Sequence, residues 1–166
     1  QGAVRVTTDE ASKITAVEAK TGDAKIEGSV ETVTVSAEKA AVTLENATVS
    51  QIVVDAPSST VTVSAGSEIN VGTVDSDAIG SKIVVAKDAT VGKLNVSASN
   101  VTVSGEGKVA EAEVTASNVQ VNTNNTSITV SNSASNVTAG SQNIESGKTT
   151  VTDSNTSSQT PGGSTT

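Results

Sequence analysis

The chain has no Phe, Trp or Tyr, no Cys, no Met and no His. Without Cys or His there is no thiol or imidazole to serve as nucleophile or general base near neutral pH, and no disulfide framework. Without aromatic rings or Met, a compact core loses the side chains that usually fill it, and Val carries nearly all the apolar volume. A core of Val, Ile and Ala must be thin, with its walls close together. Basic residues are also scarce: 10 Lys and Arg stand against 18 Asp and Glu, a net charge of −8. That balance lacks the basic footprint nucleic acid requires, and it disfavours anionic membrane surfaces. No apolar run reaches the length of a membrane-spanning helix, so no membrane insertion is expected. Gln1-Gly2-Ala3 is not a basic stretch leading into an apolar one. No signal peptide is visible, and the chain reads as a mature fragment of something longer. Its 166 residues fit one domain with a tail.

What is present is a repeat. Leu94-Asn95-Val96-Ser97-Ala98-Ser99-Asn100-Val101 matches Ala112-Glu113-Val114-Thr115-Ala116-Ser117-Asn118-Val119 position by position. Val130-Ser131-Asn132-Ser133-Ala134-Ser135-Asn136-Val137 matches both, each time at an offset of 18 residues. A repeat of that length with apolar alternation inside it marks a stacked, quasi-one-dimensional fold. Val suits such a fold because its branched Cβ fits a pleated surface.

A second regularity is independent of the first. An apolar residue is followed three positions later by another that opens an alternating strand: Ile14 to Val17, Val30 to Val33, Val49 to Ile52, Val71 to Val74, Val91 to Leu94 and Val109 to Ala112. Physically this is a corner, with two outward residues between two inward ones. Coils then begin at Val17, Val33, Ile52, Val74, Leu94, Ala112 and Val130, at intervals of 16–22 residues. The first face carries inward pairs such as Val33/Val35, Ile52/Val54, Val74/Ser76 and Leu94/Val96. The second carries Val61/Val63, Ile83/Val85, Val101/Val103 and Val119/Val121, so that Val85, Val103 and Val121 stack. The third, shorter face holds Val30, Val49, Ile69/Val71, Val91 and Val109.

Period-2 alternation on three faces predicts an all-β fold, a triangular parallel β-helix (β-solenoid) of about six coils with terminal caps. Right-handed winding follows from the rule for parallel crossovers. Residues 1–13 read as an N-terminal strand and cap. Residues 14–151 read as the β-helix with its C-terminal cap, in which Asn132 takes the place of Val96 and Val114. Residues 152–166, ending Pro161-Gly162-Gly163-Ser164-Thr165-Thr166, read as a flexible linker.

Val-rich coils with Val-Thr-Val strands close on Val137-Thr138-Ala139-Gly140, then Ile144-Glu145-Ser146-Gly147-Lys148-Thr149-Thr150, then the Pro/Gly/Ser tail. This pattern resembles the β-helix modules of Gram-positive bacterial cell-surface proteins, which often occur in chains carrying S-layer-homology or other wall-attachment domains. The resemblance covers roughly residues 14–151. It implies an extracellular, cell-surface location and two kinds of partner: the other domains of a longer surface protein, and cell-wall or host glycans. No wall-attachment domain is present in this sequence.

Candidate chemistry is sparse. Many β-helices act on polysaccharides through clustered acidic residues with Lys or Arg, and the nearest candidates are Asp75, Asp77 and Asp88 with Lys82 and Lys87. Most of these fall at turns, where solvated charge is the simpler reading. Asp75-Ser76-Asp77 lacks the glycine-rich repeat that binds Ca²⁺ in β-rolls, so neither metal nor cofactor is expected. Asn100, Asn118 and Asn136 occupy one corner in successive coils and are expected to form a structural ladder of stacked amides. The expectation is a non-enzymatic stalk or spacer. The alternatives are an adhesin or glycan-binding module using one solenoid face, and a subunit that self-associates end to end through exposed strand edges.

Overall fold

The computed structural model describes residues 4–9, 12–20 and 22–152. Alternating apolar positions, mostly Val, make each segment a strand with one side inward. The first coil holds β1 (Val4–Thr7) and β2 (Lys13–Ala19). Next, β3 (Ala24–Val35) and β4 (Ala41–Val54) run through their corners without a break. The chain continues as β5 (Thr60–Val63), β6 (Glu68–Val74), β7 (Lys82–Val85) and β8 (Thr90–Val96). Then come β9 (Thr102–Val114), β10 (Gln120–Asn124), β11 (Ser127–Val130) and β12 (Val137–Ala139), and β13 (Gln142–Ile144) and β14 (Thr149–Val151) close the series. All 14 strands belong to one hydrogen-bonded sheet. The protein is an all-β parallel β-helix of about seven turns, with no helix among the described residues.

Three inward columns run along the axis. The first is Val17, Val33, Ile52, Gly72, Leu94, Ala112 and Ile128. The second is Ala24, Val42, Val61, Ile83, Val103 and Val121. The third is Val30, Val49, Ile69, Val91 and Val109. The second and third columns are buried along their whole length, and the first from Val33 onward. Burying one Val is worth roughly 1.5–3 kcal/mol, against roughly 0–1 kcal/mol for an exposed ion pair. The ladders, not the surface charges, hold the rod together.

The register departs from the sequence reading at three places. On the first face the inward pair is Gly72/Val74, and Ser76 lies in an exposed turn. A glycine leaves no apolar mark. Its place is filled from the next coil, where Leu94 Cδ1 comes within 2.8 Å of the point a Gly72 Cβ would occupy. On the second face Val103 stacks on Ile83, not Val85. Gly105 comes next inward, in a bulge at φ +121°, so close to the coil below that a Cβ there would lie 2.0 Å from the Val85 carbonyl oxygen. Val101 moves to the turn-side position, the place of Ser59 and Ser81 in earlier coils. Finally, Ile128 and Val130 lie beside Ala112 and Val114. The last 18-residue match therefore begins two residues late, and Asn132 is an exposed turn residue, not a substitute for Val114.

The ends differ. At the start, β1 lies beside Ala24–Glu27 in the second-face position, so this segment is part of a regular coil and not an atypical cover. Both β1 and β2 pair only with β3, which leaves their other edges without a strand partner among the described residues. At the far end the chain reverses: β13 runs antiparallel to β12, and β14 antiparallel to β11. Thr152 fastens this return. Its hydroxyl accepts from the Thr126 N–H at 2.8 Å and donates to the Thr123 carbonyl at 2.7 Å. Thr152, the first residue of the expected linker, is buried in the cap, and the rest of that stretch, 153–166, lies outside the described residues.

Candidate functional site

Asn100, Asn118 and Asn136 stand at one corner of three successive coils, and the hydrogen bond of the expected ladder joins Asn118 and Asn136. Asn100, Asn118 and Asn136 have φ of 60°, 59° and 55°. This left-handed region is disfavoured for most side chains and is several-fold enriched in Asn. The backbone conformation, which the repeat does not reveal, favours Asn at this corner, although Lys39 and Ser58 adopt it at the equivalent corner of earlier coils. The same requirement falls on Asn46 and Asn125 at other corners. Successive turns are tied by the Asn118 N–H donating to the Ser135 carbonyl at 3.0 Å and by a Ser117–Ser135 hydroxyl contact at 3.2 Å. Asn136 Nδ2 donates to Asn118 Oδ1 at 2.7 Å.

Beside the ladder run Thr102, Gln120 and Thr138, the outward residues that begin the second face in the same three coils. The two rows enclose an open groove of about 430 Å³ without a charged residue in its walls. The hydroxyl of Thr138 is buried there without a hydrogen-bond partner.

Two other surface grooves are charged. One includes Asp9 and Glu27 with Thr7, Thr8 and Asn46, and the other Lys93, Glu111 and Glu113. At the first, Arg5 pairs with Glu27 at 2.6 Å, and Lys25 reaches both Glu27, at 3.6 Å, and Glu45. The hydrogen bond from Arg5 holds the Glu27 carboxyl below its ordinary range, while Glu27 raises Arg5 and Glu45 raises Lys25.

The acidic candidates do not converge. Asp75 accepts from the N–H of Ser76 at 2.7 Å in an exposed turn, and Asp77 is exposed in the same turn. Lys82 begins β7, and Lys87 and Asp88 lie in the turn that follows it. Among the described residues no three carboxylates form a group that could hold a metal ion, and no helix is long and apolar enough to cross a membrane.

The fold therefore defines a parallel β-solenoid that carries, beside its charged grooves, a neutral amide and hydroxyl groove. Comparison with protein-family models, with curated proteins and with solved structures finds no match.

Proposed function

We propose that the chain is a rigid, non-enzymatic spacer of a bacterial surface protein, holding other domains at a fixed separation outside the cell. The observation that carries this reading is the continuous coil-to-coil register of all three inward columns. Bending such a rod would part hydrogen bonds that run along its axis and open a dry Val ladder. Seven rungs at ~4.8 Å make a rod roughly 30 Å long. The acidic exterior supports the same role, because like-charged rods resist lateral association.

The test places a fluorophore near each end, at Thr15 and Ser141, and measures the distance distribution. A spacer gives one narrow distribution that persists into moderate denaturant and is lost in a single step. A broad distribution in native buffer would sink the reading.

The exposed edges of β1 and β2 favour a second reading, end-to-end association through the open first coil. Sedimentation across a wide concentration range separates the two. A spacer stays monomeric, whereas a self-associating end gives mass that grows with concentration and falls when the edge carries Thr15→Pro.

A further inference from the structure

We propose that the groove between the asparagine ladder and the row Thr102, Gln120, Thr138 binds a neutral glycan chain lying along the rod axis. This does not depend on the spacer reading, since a spacer need bind nothing.

Chemistry sets the ligand class. All six wall residues are uncharged hydroxyl or amide side chains, which both donate and accept hydrogen bonds and so suit a ligand that is itself a mixture of hydroxyl donors and acceptors. From Val114 to Thr152 the only charged residues are Glu145 and Lys148. An anionic polymer would meet no cation in the groove and a net charge of −8 on the chain. A cationic one would find its partners in the two carboxylate-bearing grooves instead.

The groove also has unused bonding capacity. The contact between Asn136 Nδ2 and Asn118 Oδ1 leaves the amide N–H groups of Asn118 and the amide oxygen of Asn136 for other partners. The side chains of Thr102 and Gln120 lie half-buried and exposed beside them, facing outward from the same coils.

Geometry then selects among polymers. The wall residues repeat once per coil, at ~4.8 Å. An extended peptide presents like groups every second residue, roughly 6.7 Å apart, and drifts out of phase by about 2 Å at each rung. A β-1,4-linked hexopyranose chain advances by close to one rung per ring with alternate rings turned over, so every second sugar returns to an equivalent position close to every second coil and the chain stays near register along the groove. Three rungs bear the motif, which fixes the length of chain that can be read.

The experiment titrates the isotope-labelled protein with cello- and chito-oligosaccharides of two to six sugars, followed by amide and side-chain NMR. Expected are shifts confined to the groove residues and an affinity that rises with each sugar to three or four and then levels. Asn118→Gly keeps the left-handed backbone accessible while removing the amide, and Gln120→Ala removes the facing wall. Each should weaken binding by about fivefold, the scale of one or two neutral hydrogen bonds. Asn95→Ala, on the first face, should leave it unchanged. Thermal melts verify that each variant is folded; if Asn118→Gly is not, Gln120→Ala decides alone. Polygalacturonate should not bind. Absence of shifts with either neutral series, an affinity indifferent to chain length, shifts centred on another face, or a folded wall variant that binds as before would each overturn the proposal.

Discussion

Val103→Asp tests both the fold and its corrected register. Val103 is fully buried, with Ile83 in the coil below and Val121 in the coil above. Asp is close to Val in volume, so the change is mainly one of polarity. At pH 7 the folded protein must hold the new carboxyl protonated. Keeping a group of unperturbed pKa ~3.9 neutral there costs about 4 kcal/mol. Lost apolar burial and an unpaired neutral carboxyl add roughly 2–5 kcal/mol. The sum approaches the whole stability of an ordinary domain, about 5–15 kcal/mol.

The sign of the pH dependence separates buried charge from general damage. The folded pKa is raised, so between the unfolded value and the raised one the folded state binds the extra proton. Stability of the variant should therefore increase as pH falls, by about 1.4 kcal/mol per unit down to pH ~4. Val103→Asn carries the same packing loss without a titrating group and serves as the reference if Val103→Asp is unfolded at neutral pH. Thr102→Asp, on the outward side of the same strand, should change little. The assay is urea unfolding from pH 4 to pH 8. A pH-independent difference between Val103→Asp and Val103→Asn, or a Thr102→Asp as damaging as Val103→Asp, would refute the register, because a one-residue slip exchanges the two faces.

Three further outcomes follow from the same geometry. Gly105→Ala would push a Cβ into the Val85 carbonyl at φ +121°, costing at least about 1–3 kcal/mol in strain, whereas Gly22→Ala at φ +74° meets open space and should cost only about 1–2 kcal/mol; denaturant midpoints compare them. Thr152→Ala should leave the Thr126 N–H unsatisfied, for about 1–3 kcal/mol, and hydrogen exchange should accelerate in β14 and β11 while the central coils keep their protection; Thr152→Ser should restore it. Because Arg5 lowers the Glu27 pKa, its stabilisation of the first coil is complete above the ordinary carboxylate value of 4.5 and fades as pH falls through the depressed one. Exchange rates in β1 should thus differ between wild type and Arg5→Gln at neutral pH and converge in acid, and equal rates throughout would refute the linkage.

How far the sequence could be read depended on whether a position announces itself by being apolar. The third column is legible at Val30, Val49, Val91 and Val109, each branched and three residues before a new face, but not at its middle: Val71, read as the corner before Val74, lies beside Gln51 and Lys93, and Ile69 holds the inward place. The errors gather where glycine stands inward. Gly72 displaces the inferred coil start by two residues, and Gly105 does the same to the pairing of Val103. In both cases space, not hydrophobicity, determines the residue: Leu94 reaches into one gap, and the Val85 carbonyl closes the other. The false register is self-consistent because alternation has period 2 and a shift of two keeps every side chain on its proper side. Only a neighbour across the sheet can expose it.

The asparagine corner presents the opposite situation. Its recurrence is plain in the sequence, and the stacking of Asn118 and Asn136 follows from it, but the left-handed backbone that favours Asn does not. The facing row is less visible still, since Thr102, Gln120 and Thr138 share neither side chain nor charge. They become one wall only when equal spacing in the chain becomes adjacency across rungs. A solenoid surface site is written across coils, one residue from each. In such a fold a binding site has to be sought along the columns, and the uncharged double row from Asn100 to Thr138 is such a stretch, with two outward columns side by side and no charge in either.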